Sequence, residues 1–407
     1  MHLVSPYVYD FRAVSYAARV YSGRDALAAL PAELRRQRAR RAYIVCGRSV
    51  SRKTGLIARI RNILGDSCAG LYDEMGKDTP VKDVLAARDG ARAAGADLLI
   101  AVGAGSVVQG TRIVAILLAE EGPVEELCTR YPEDGGSAIS PKLTATKLPI
   151  INILTAATTA QNHGGSPMKA EGVDHRMEFF DPKTRPVALF WDAEALLTAP
   201  ASMMRASATA IFWRATMNMG HTRATPLVAL NRRQVFELTR DALPRLQDAN
   251  DAAPRIELCA ATYLLNRDVD DGGERARHWV SRVGYAFATA LFNLYEQVSQ
   301  GEAYAALTPT IMRMLGSRDP DAMCGIAQAL RAWREGDPVA DAPMRAAAEL
   351  ERIFSSHGLH TRLSLLDIPR SSTEAVLTHS LKNFNSDPKR EFMRERELLR
   401  KVLEASW

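Results

Sequence analysis

The apolar run Asp97-Leu-Leu-Ile-Ala-Val102 leads directly into Gly103-Ala-Gly-Ser-Val-Val-Gln-Gly-Thr-Arg112. Small residues at such a turn let the backbone approach a diphosphate, and the helix that follows presents amide donors and a favourable dipole to it. The same residues also make an ordinary tight strand-to-helix turn, so the segment alone leaves both readings open. His163, in Gln-Asn-His-Gly-Gly-Ser, follows a threonine-rich stretch and is of the type that serves as an acid or base in a cleft. A lone histidine is equally at home in a structural role; His175 and His221 are loop histidines of the same kind. Five cysteines (Cys46, Cys68, Cys128, Cys259 and Cys324) stand far apart in no paired spacing, which points to reduced thiols in a cytoplasmic protein.

The elements that must position these groups can be read from the hydrophobic pattern. Ala42–Cys46, Asp97–Val102, Leu148–Leu154 and Val187–Trp191 are continuous apolar runs, and they alternate with amphipathic stretches at Thr54–Leu64 and Asp83–Ala94. Strands without polar alternation, separated by helices, predict a parallel sheet covered on both faces. After about Pro200 the texture changes. Helical periodicity is predicted over 201–219, 224–248, 253–266, 279–299, 303–316, 320–334, 342–357 and 385–406, with no strand among them. The expected fold class is therefore α/β followed by all-α. An N-terminal parallel-sheet domain over 1–198 precedes a helical domain over 199–407.

Bulk properties narrow the function. The chain of 407 residues is long enough for two cores, with 47% hydrophobic and 24% charged residues, as in ordinary globular proteins. No apolar run approaches the roughly 18 residues that span a bilayer. The N-terminus, MHLVSPYVYDFRAV, lacks the basic-then-apolar order of a secretory leader. A net charge of +5 is mild, and the basic clusters at 35–41 and 389–400 read as solvated faces rather than a nucleic-acid stripe. An anionic substrate or cofactor suits this balance.

Several segments resemble the iron-containing (group III) alcohol dehydrogenases. LIAVGAGSVVQGTR (99–112) is similar to that family's "iiavGGGSxxDxAK", and PIINILTAATTA (149–160) to its "PiiaIPTTAGTGSE". The stretches 181–200, Thr308–Arg313 and Asn383–Pro388 resemble later family segments in the same order. The resemblance implies the two-domain fold of that family and of the dehydroquinate synthases, with maleylacetate reductases as a related branch. It implies that Gly103, Gly105 and Ser106 cradle a cofactor diphosphate and that Thr155, Thr158 and Thr159 lie along the nicotinamide and ribose. Gly47 stands where NAD-preferring members carry an Asp, and Arg48 follows it. An NADP or NAD cofactor is expected, with this pair favouring the 2′-phosphate. Gln109 replaces the loop Asp, and Thr158-Thr159-Ala160 replaces the Gly-Thr-Gly turn.

The same resemblance implies a lost metal site. The family's ligand positions fall on Ala210, Arg214, Ala286 and Gln300, and a further active-site His falls on Ala290. A shift of one residue substitutes Thr209 and Trp213, which are no better as ligands. No metal is expected, because a transition metal needs deprotonated N, O or S donors. Arg214 could instead hold a carboxylate or oxyanion, Arg176 in the slot of a cleft Lys would add a second cation, and Tyr285, Thr289 and Gln300 could supply hydrogen bonds. The catalytic candidates are therefore Arg214, His163, Arg176 and Gln300. The expected activity is a metal-independent NAD(P)-linked reduction of a small oxo or unsaturated acid at the interdomain cleft. The alternative is a divergent non-redox member, either a ligand-binding or regulatory protein or a lyase or cyclase. A cytoplasmic homodimer without nucleic-acid or membrane partners is expected.

Overall fold

The apolar runs around Ile44, Ile100, Ile151 and Leu189 become strands with no exposed residue, because helices cover both sides of the sheet they build. In the computed structural model, which describes residues 7–221, 223–273 and 278–407, six strands form one parallel sheet. They are β1 (Arg19–Gly23), β2 (Ala42–Cys46), β3 (Cys68–Tyr72), β4 (Leu98–Gly103), β5 (Ile150–Leu154) and, after a separate hairpin of β6 (Gly165–Met168) and β7 (Met177–Phe180), β8 (Ala188–Asp192). Their order across the sheet is β1-β8-β5-β4-β2-β3. Helices α1 (Leu30–Arg36), α2 (Arg48–Lys53), α3 (Leu56–Leu64), α4 (Val81–Ala93) and α5 (Gly105–Ala119) make the crossovers.

Beyond β8 every regular element among the described residues is helical. These are α6 (Ala193–Leu197), α7 (Ala201–Asn218), α8 (Pro226–Ala242), α9 (Ala253–Arg267), α10 (Trp279–Leu294) and α11 (Gln300–Leu315). They continue as α12 (Pro320–Ala329), α13 (Ala342–Ser356), α14 (Thr373–Ser380) and α15 (Arg396–Glu404), with short 3-10 turns between some of them. An α/β half thus precedes an all-α half. Alternate strand residues face opposite ways. Ala42, Ile44 and Cys46 pack with Leu56, Ile57 and Ile60 in one core, and Tyr43 and Val45 face the other with Val84 and Ala87. This second core continues into the helical half through Phe212, Trp213 and Phe287, so the sheet and the helices share packed side chains.

Several expectations needed revision. The helix expected over Thr54–Leu64 is α3, which begins two residues later; the short helix α2 before it was not anticipated, and Thr54 separates the two, its hydroxyl donating to the Val50 carbonyl and accepting from the Leu56 amide. The edge strands β1 and β3 and the hairpin β6–β7 were not anticipated; each is short and lacks the continuous apolar run of a central strand. The helix expected over 385–406 is confined to α15. The fully buried Asp387 carboxylate accepts from the Glu391 and Phe392 amides and fixes an irregular path before it, and Arg390 there is left-handed at φ 56°. The break between the helices expected at 279–299 and 303–316 falls at 295–299. Ser299 and Glu302 form a capping box there, so Gln300 is the first residue of α11.

α11 crosses α7 closely at Gly301, where an added methyl would overlap the Ala206 carbonyl oxygen and stand 3.0 Å from the Thr209 Cβ. Backbone on the far side cannot yield as a side chain can. Gly301→Ala is expected to cost about 1–3 kcal/mol of stability, read from the midpoint of denaturant unfolding. An unchanged midpoint would contradict this packing.

Candidate active site

Because the sheet is parallel, the carboxyl ends of β2, β4 and β5 share one edge, and the residues just beyond them, Gly47, Gly103 and Thr155, lie along it. A cleft of about 1820 Å³ opens between this edge and the helical half. Gly47, Arg48, Gly103, Gly105, Ser106, Thr155, Thr158, Thr159, His163, Arg176, Arg214 and Gln300 all line it, as does His221, whereas His175 does not.

The phosphate turn is shaped by contacts that exclude side chains. A Cβ at Gly103 would stand 2.8 Å from the Val107 side chain, and one at Gly105 3.3 Å from the Thr158 hydroxyl. α5 begins at Gly105, so its first amides face the cleft. Ser106 Oγ accepts from the Asp78 amide at 3.0 Å, and the Thr79 hydroxyl donates to the Ser106 carbonyl. Thr155 N donates to the Gly103 carbonyl at 3.1 Å, which ties the threonine-rich loop to the phosphate turn.

Arg112 on α5 sets the far end of that loop. It is 1% exposed and donates to the carbonyls of Ala160, at 2.6 Å, and of His163. Burial, with Arg185 nearby, pushes its pKa down to about 9. His163 Nδ1 accepts from the Gly165 amide and faces an Arg112 nitrogen, each at 3.1 Å. Both partners are donors, so the ring proton lies on Nε2. Burial, then Arg112, Arg214 and Arg185, hold its pKa well below the usual histidine range. The imidazole is neutral and can donate through Nε2, and its only free-base nitrogen is already engaged. This geometry disfavours the acid/base role suggested by its residue type.

Arg214 on α7 donates to Asn266 Oδ1 at 2.9 Å, and Asn266 Nδ2 donates in turn to the Thr159 carbonyl at 2.8 Å and to Asn162 Oδ1 at 2.6 Å. One amide side chain thus couples the cation to the threonine-rich loop. Arg176, immediately before β7, lies 3.9 Å from Asp78 and 5.2 Å from the Phe292 ring centroid. Its buried Nε meets no hydrogen-bond acceptor among the described residues, and burial lowers its pKa. Gln300 donates to the Tyr304 hydroxyl at 3.1 Å, and the Tyr304 ring stacks on Trp213 with centroids 3.7 Å apart.

Sequence reasoning missed Arg112, Asn266 and Glu178. Glu178 follows Arg176 by two on an extended segment, the spacing that places both on one face. Its carboxylate accepts from the Tyr131 hydroxyl at 2.5 Å and from Phe384 N and Asn385 Nδ2 at 3.0 Å each, while burial raises its pKa. Asn266 lies far along the chain, and nothing in its local sequence signals the contact.

The four positions aligned with metal ligands do not fit a transition metal. Ala210 carries no donor, Arg214 is a cation, Ala286 is fully buried, and Gln300 offers a neutral amide. Among the described residues no three His, Cys, Asp or Glu side chains gather as a metal set.

Residues 17–193 match the family model "Iron-containing alcohol dehydrogenase". Over that stretch, which is less than half of the chain, the sequence is similar to that family. A maleylacetate reductase of Cupriavidus pinatubonensis is 36% identical over 107 residues, which span 26% of this chain and 29% of that protein. Among solved structures, an archaeal halo-thermophilic alcohol dehydrogenase from a Red Sea brine pool superposes with a TM-score of 0.84 at 17% identity, covering 98% of this chain and 99% of its own. Maleylacetate reductase from a Rhizobium species superposes with a TM-score of 0.70 at 19% identity, again covering 98% and 99%. Identities this low establish the fold, which therefore extends across both halves. No helix among the described residues is long and apolar enough to cross a membrane.

The neutral His163 has a linkage consequence. Its folded pKa lies below its unfolded value, so stability is fully present above about pH 6.5 and is lost as pH falls toward the folded value. His163→Asn keeps an acceptor near Nδ1 and removes the titration. It is expected to flatten the loss of stability below pH 6.5 by roughly one proton, leaving the share from His175, His357 and His379, which burial also shifts down. Denaturant melts between pH 5 and 7 check this; an unaltered slope would contradict the buried neutral ring.

Proposed function

We propose that this protein is a metal-independent NAD(P)H-linked reductase that reduces a small oxo or unsaturated acid in the cleft. The observation that carries the reading is the convergence of two sets of residues. The Gly103–Ser106 turn and Thr155–Thr159 line one wall, and the cations Arg176 and Arg214 stand with them in the same 1820 Å³ space, where the family's metal ligands are absent. The matches to an alcohol dehydrogenase family model and to a maleylacetate reductase support it.

A bound NAD(P)H would supply the hydride, and water entering the cleft would supply the proton that completes the reduction. The α5 amides and the open backbone of Gly103 and Gly105 would hold its diphosphate. Arg214, oriented by Asn266, would fix a substrate carboxylate or oxyanion through its planar fork, which presents two parallel donors. Arg176, partly desolvated and only loosely paired, would add positive potential where negative charge develops. His163 Nε2–H would donate a hydrogen bond while remaining neutral.

A homodimer belongs to the same reading. The segment before edge strand β1 exposes Tyr7, Tyr9, Phe11 and Tyr16, aromatic surface of the kind that marks an interface.

Fluorescence titration with NADPH and NADH, followed by NADPH oxidation over a panel of oxo and unsaturated acids, tests the activity. Binding of a reduced nucleotide with turnover of at least one acid is expected, and binding of neither nucleotide contradicts it. Arg214→Ala is expected to raise KM for the acid about 30- to 100-fold, the worth of a lost charge-assisted contact, with nucleotide affinity held within about threefold. Arg214→Lys should recover little, because a point charge does not replace a fork. Equal loss of nucleotide and acid affinity would remove Arg214 from the substrate.

A further inference from the structure

Beside Gly47 the cleft rim carries a charge arrangement that the family resemblance does not describe. Arg48 and Arg52 are four residues apart on α2 and therefore share a face. Both reach one carboxylate: Arg48 Nη2 lies 3.0 Å from Glu74 Oε2, and Arg52 Nη2 lies 2.5 Å from Glu74 Oε1. Glu74 follows β3 rather than β2. Met75 N donates to the Cys46 carbonyl at 3.1 Å, which holds the Glu74 backbone level with the end of β2. Ser51 donates to Asp73 Oδ2 at 2.7 Å and ties α2 to the same turn. Gly47, Arg48 and Glu74 all line the cleft. A side chain at Gly47 would begin 3.1 Å from the Met75 carbonyl oxygen, so position 47 leaves the recognition of anything bound here to its neighbours.

In doubly wound sheets this rim receives the adenosine ribose, where a carboxylate accepts from the 2′-hydroxyl or an arginine accommodates a 2′-phosphate. Here both chemistries are present and engaged with each other. Two guanidinium forks and one carboxylate carry a net charge of +1. The ion pairs are half open to water, with side-chain exposures of 62%, 61% and 39% for Arg48, Arg52 and Glu74, so each is weak and easily exchanged. A 2′-phosphate brings two negative charges and several acceptors to the same forks and forms stronger charge-assisted bonds, but it must displace Glu74 and then tolerate its charge nearby.

We propose that Glu74 is the residue that sets the choice between the two dinucleotides. It competes with a 2′-phosphate for Arg48 and Arg52 and accepts from the ribose 2′-hydroxyl when no phosphate is there. The proposal rests on the dinucleotide-binding part of the reading above and not on its redox part.

The test is calorimetric titration of the full-length protein with 2′,5′-ADP and 5′-AMP, and fluorescence titration with NADPH and NADH, for wild type, Glu74→Gln and Arg48→Ala/Arg52→Ala. Glu74→Gln should raise the ratio Kd(NADH)/Kd(NADPH) about tenfold, the size of one charge-assisted bond. The double arginine variant should lower that ratio by at least as much, and 2′,5′-ADP against 5′-AMP should move in parallel. The Glu74→Gln gain should shrink as salt rises, since these groups are exposed. A ratio unchanged within about twofold in Glu74→Gln, or an equal loss of both nucleotides in the arginine variant, overturns the selector. If the wild type binds none of the four ligands, the selector and the dinucleotide reading fall together. If it binds them but oxidises NADPH with no acid, the redox reading alone falls, and the ratio still decides on Glu74.

Discussion

The carbonyls of Ala160 and His163 converge on one buried guanidinium, that of Arg112, and the cleft takes its shape from that convergence. A cation buried this deeply without a carboxylate is costly unless its donors are met. Here three backbone carbonyls, of Val108, Ala160 and His163, take its donors, with His163 Nδ1 beside it, and burial still lowers its pKa. In return the threonine-rich loop is fixed at both ends. Thr155 is held to the phosphate turn, and Ala160 and His163 to the body of α5. Asn266 carries the constraint across the cleft to Arg214. The wall carrying Gly103–Ser106 and Thr155–Thr159 and the wall carrying Arg214 are therefore parts of one hydrogen-bonded unit.

This unit bears on what a cleft can do when the positions aligned with metal ligands carry Ala210, Arg214, Ala286 and Gln300. A metal ion would polarise a carbonyl through a point charge held by several ligands. The groups present supply a similar field differently: a fork held by an asparagine, a second arginine poorly neutralised by Asp78 at 3.9 Å, and an imidazole locked as an Nε2 donor. Fixed dipoles and charges in a partly dry cleft stabilise developing negative charge without reorganising. The Trp213–Tyr304 stack gives Gln300 a rigid neighbour at the mouth of α11.

Much of this was legible in the sequence, for stated reasons. Central strands of a parallel sheet are buried on both faces, so their apolar runs stand out, and β2, β4, β5 and β8 were recognised within two residues. The strand-to-helix turn at Gly103–Ser106 could be read because its small residues directly follow an apolar run. Edge strands β1 and β3 carry no such demand and left no signal. The partner of Arg214 was invisible because Asn266 is 52 residues away and its role depends only on the fold. The role suggested for His163 illustrates another limit: residue type gives the chemistry available to a side chain, and its neighbours decide the protonation state that uses it. Likewise Arg48 was read as a free cation at the ribose, whereas Glu74, just after a strand that sequence did not reveal, occupies it.

The central claim is that the cleft works without a metal, and metal content measured together with function tests it most directly. Protein purified without chelator would be analysed for iron and zinc, then stripped with chelator and assayed for NADPH oxidation before and after metal is restored. The account predicts substoichiometric metal and the same turnover in all three states. Stoichiometric iron or zinc, lost on chelation together with activity and absent from Gln300→Ala, would contradict it.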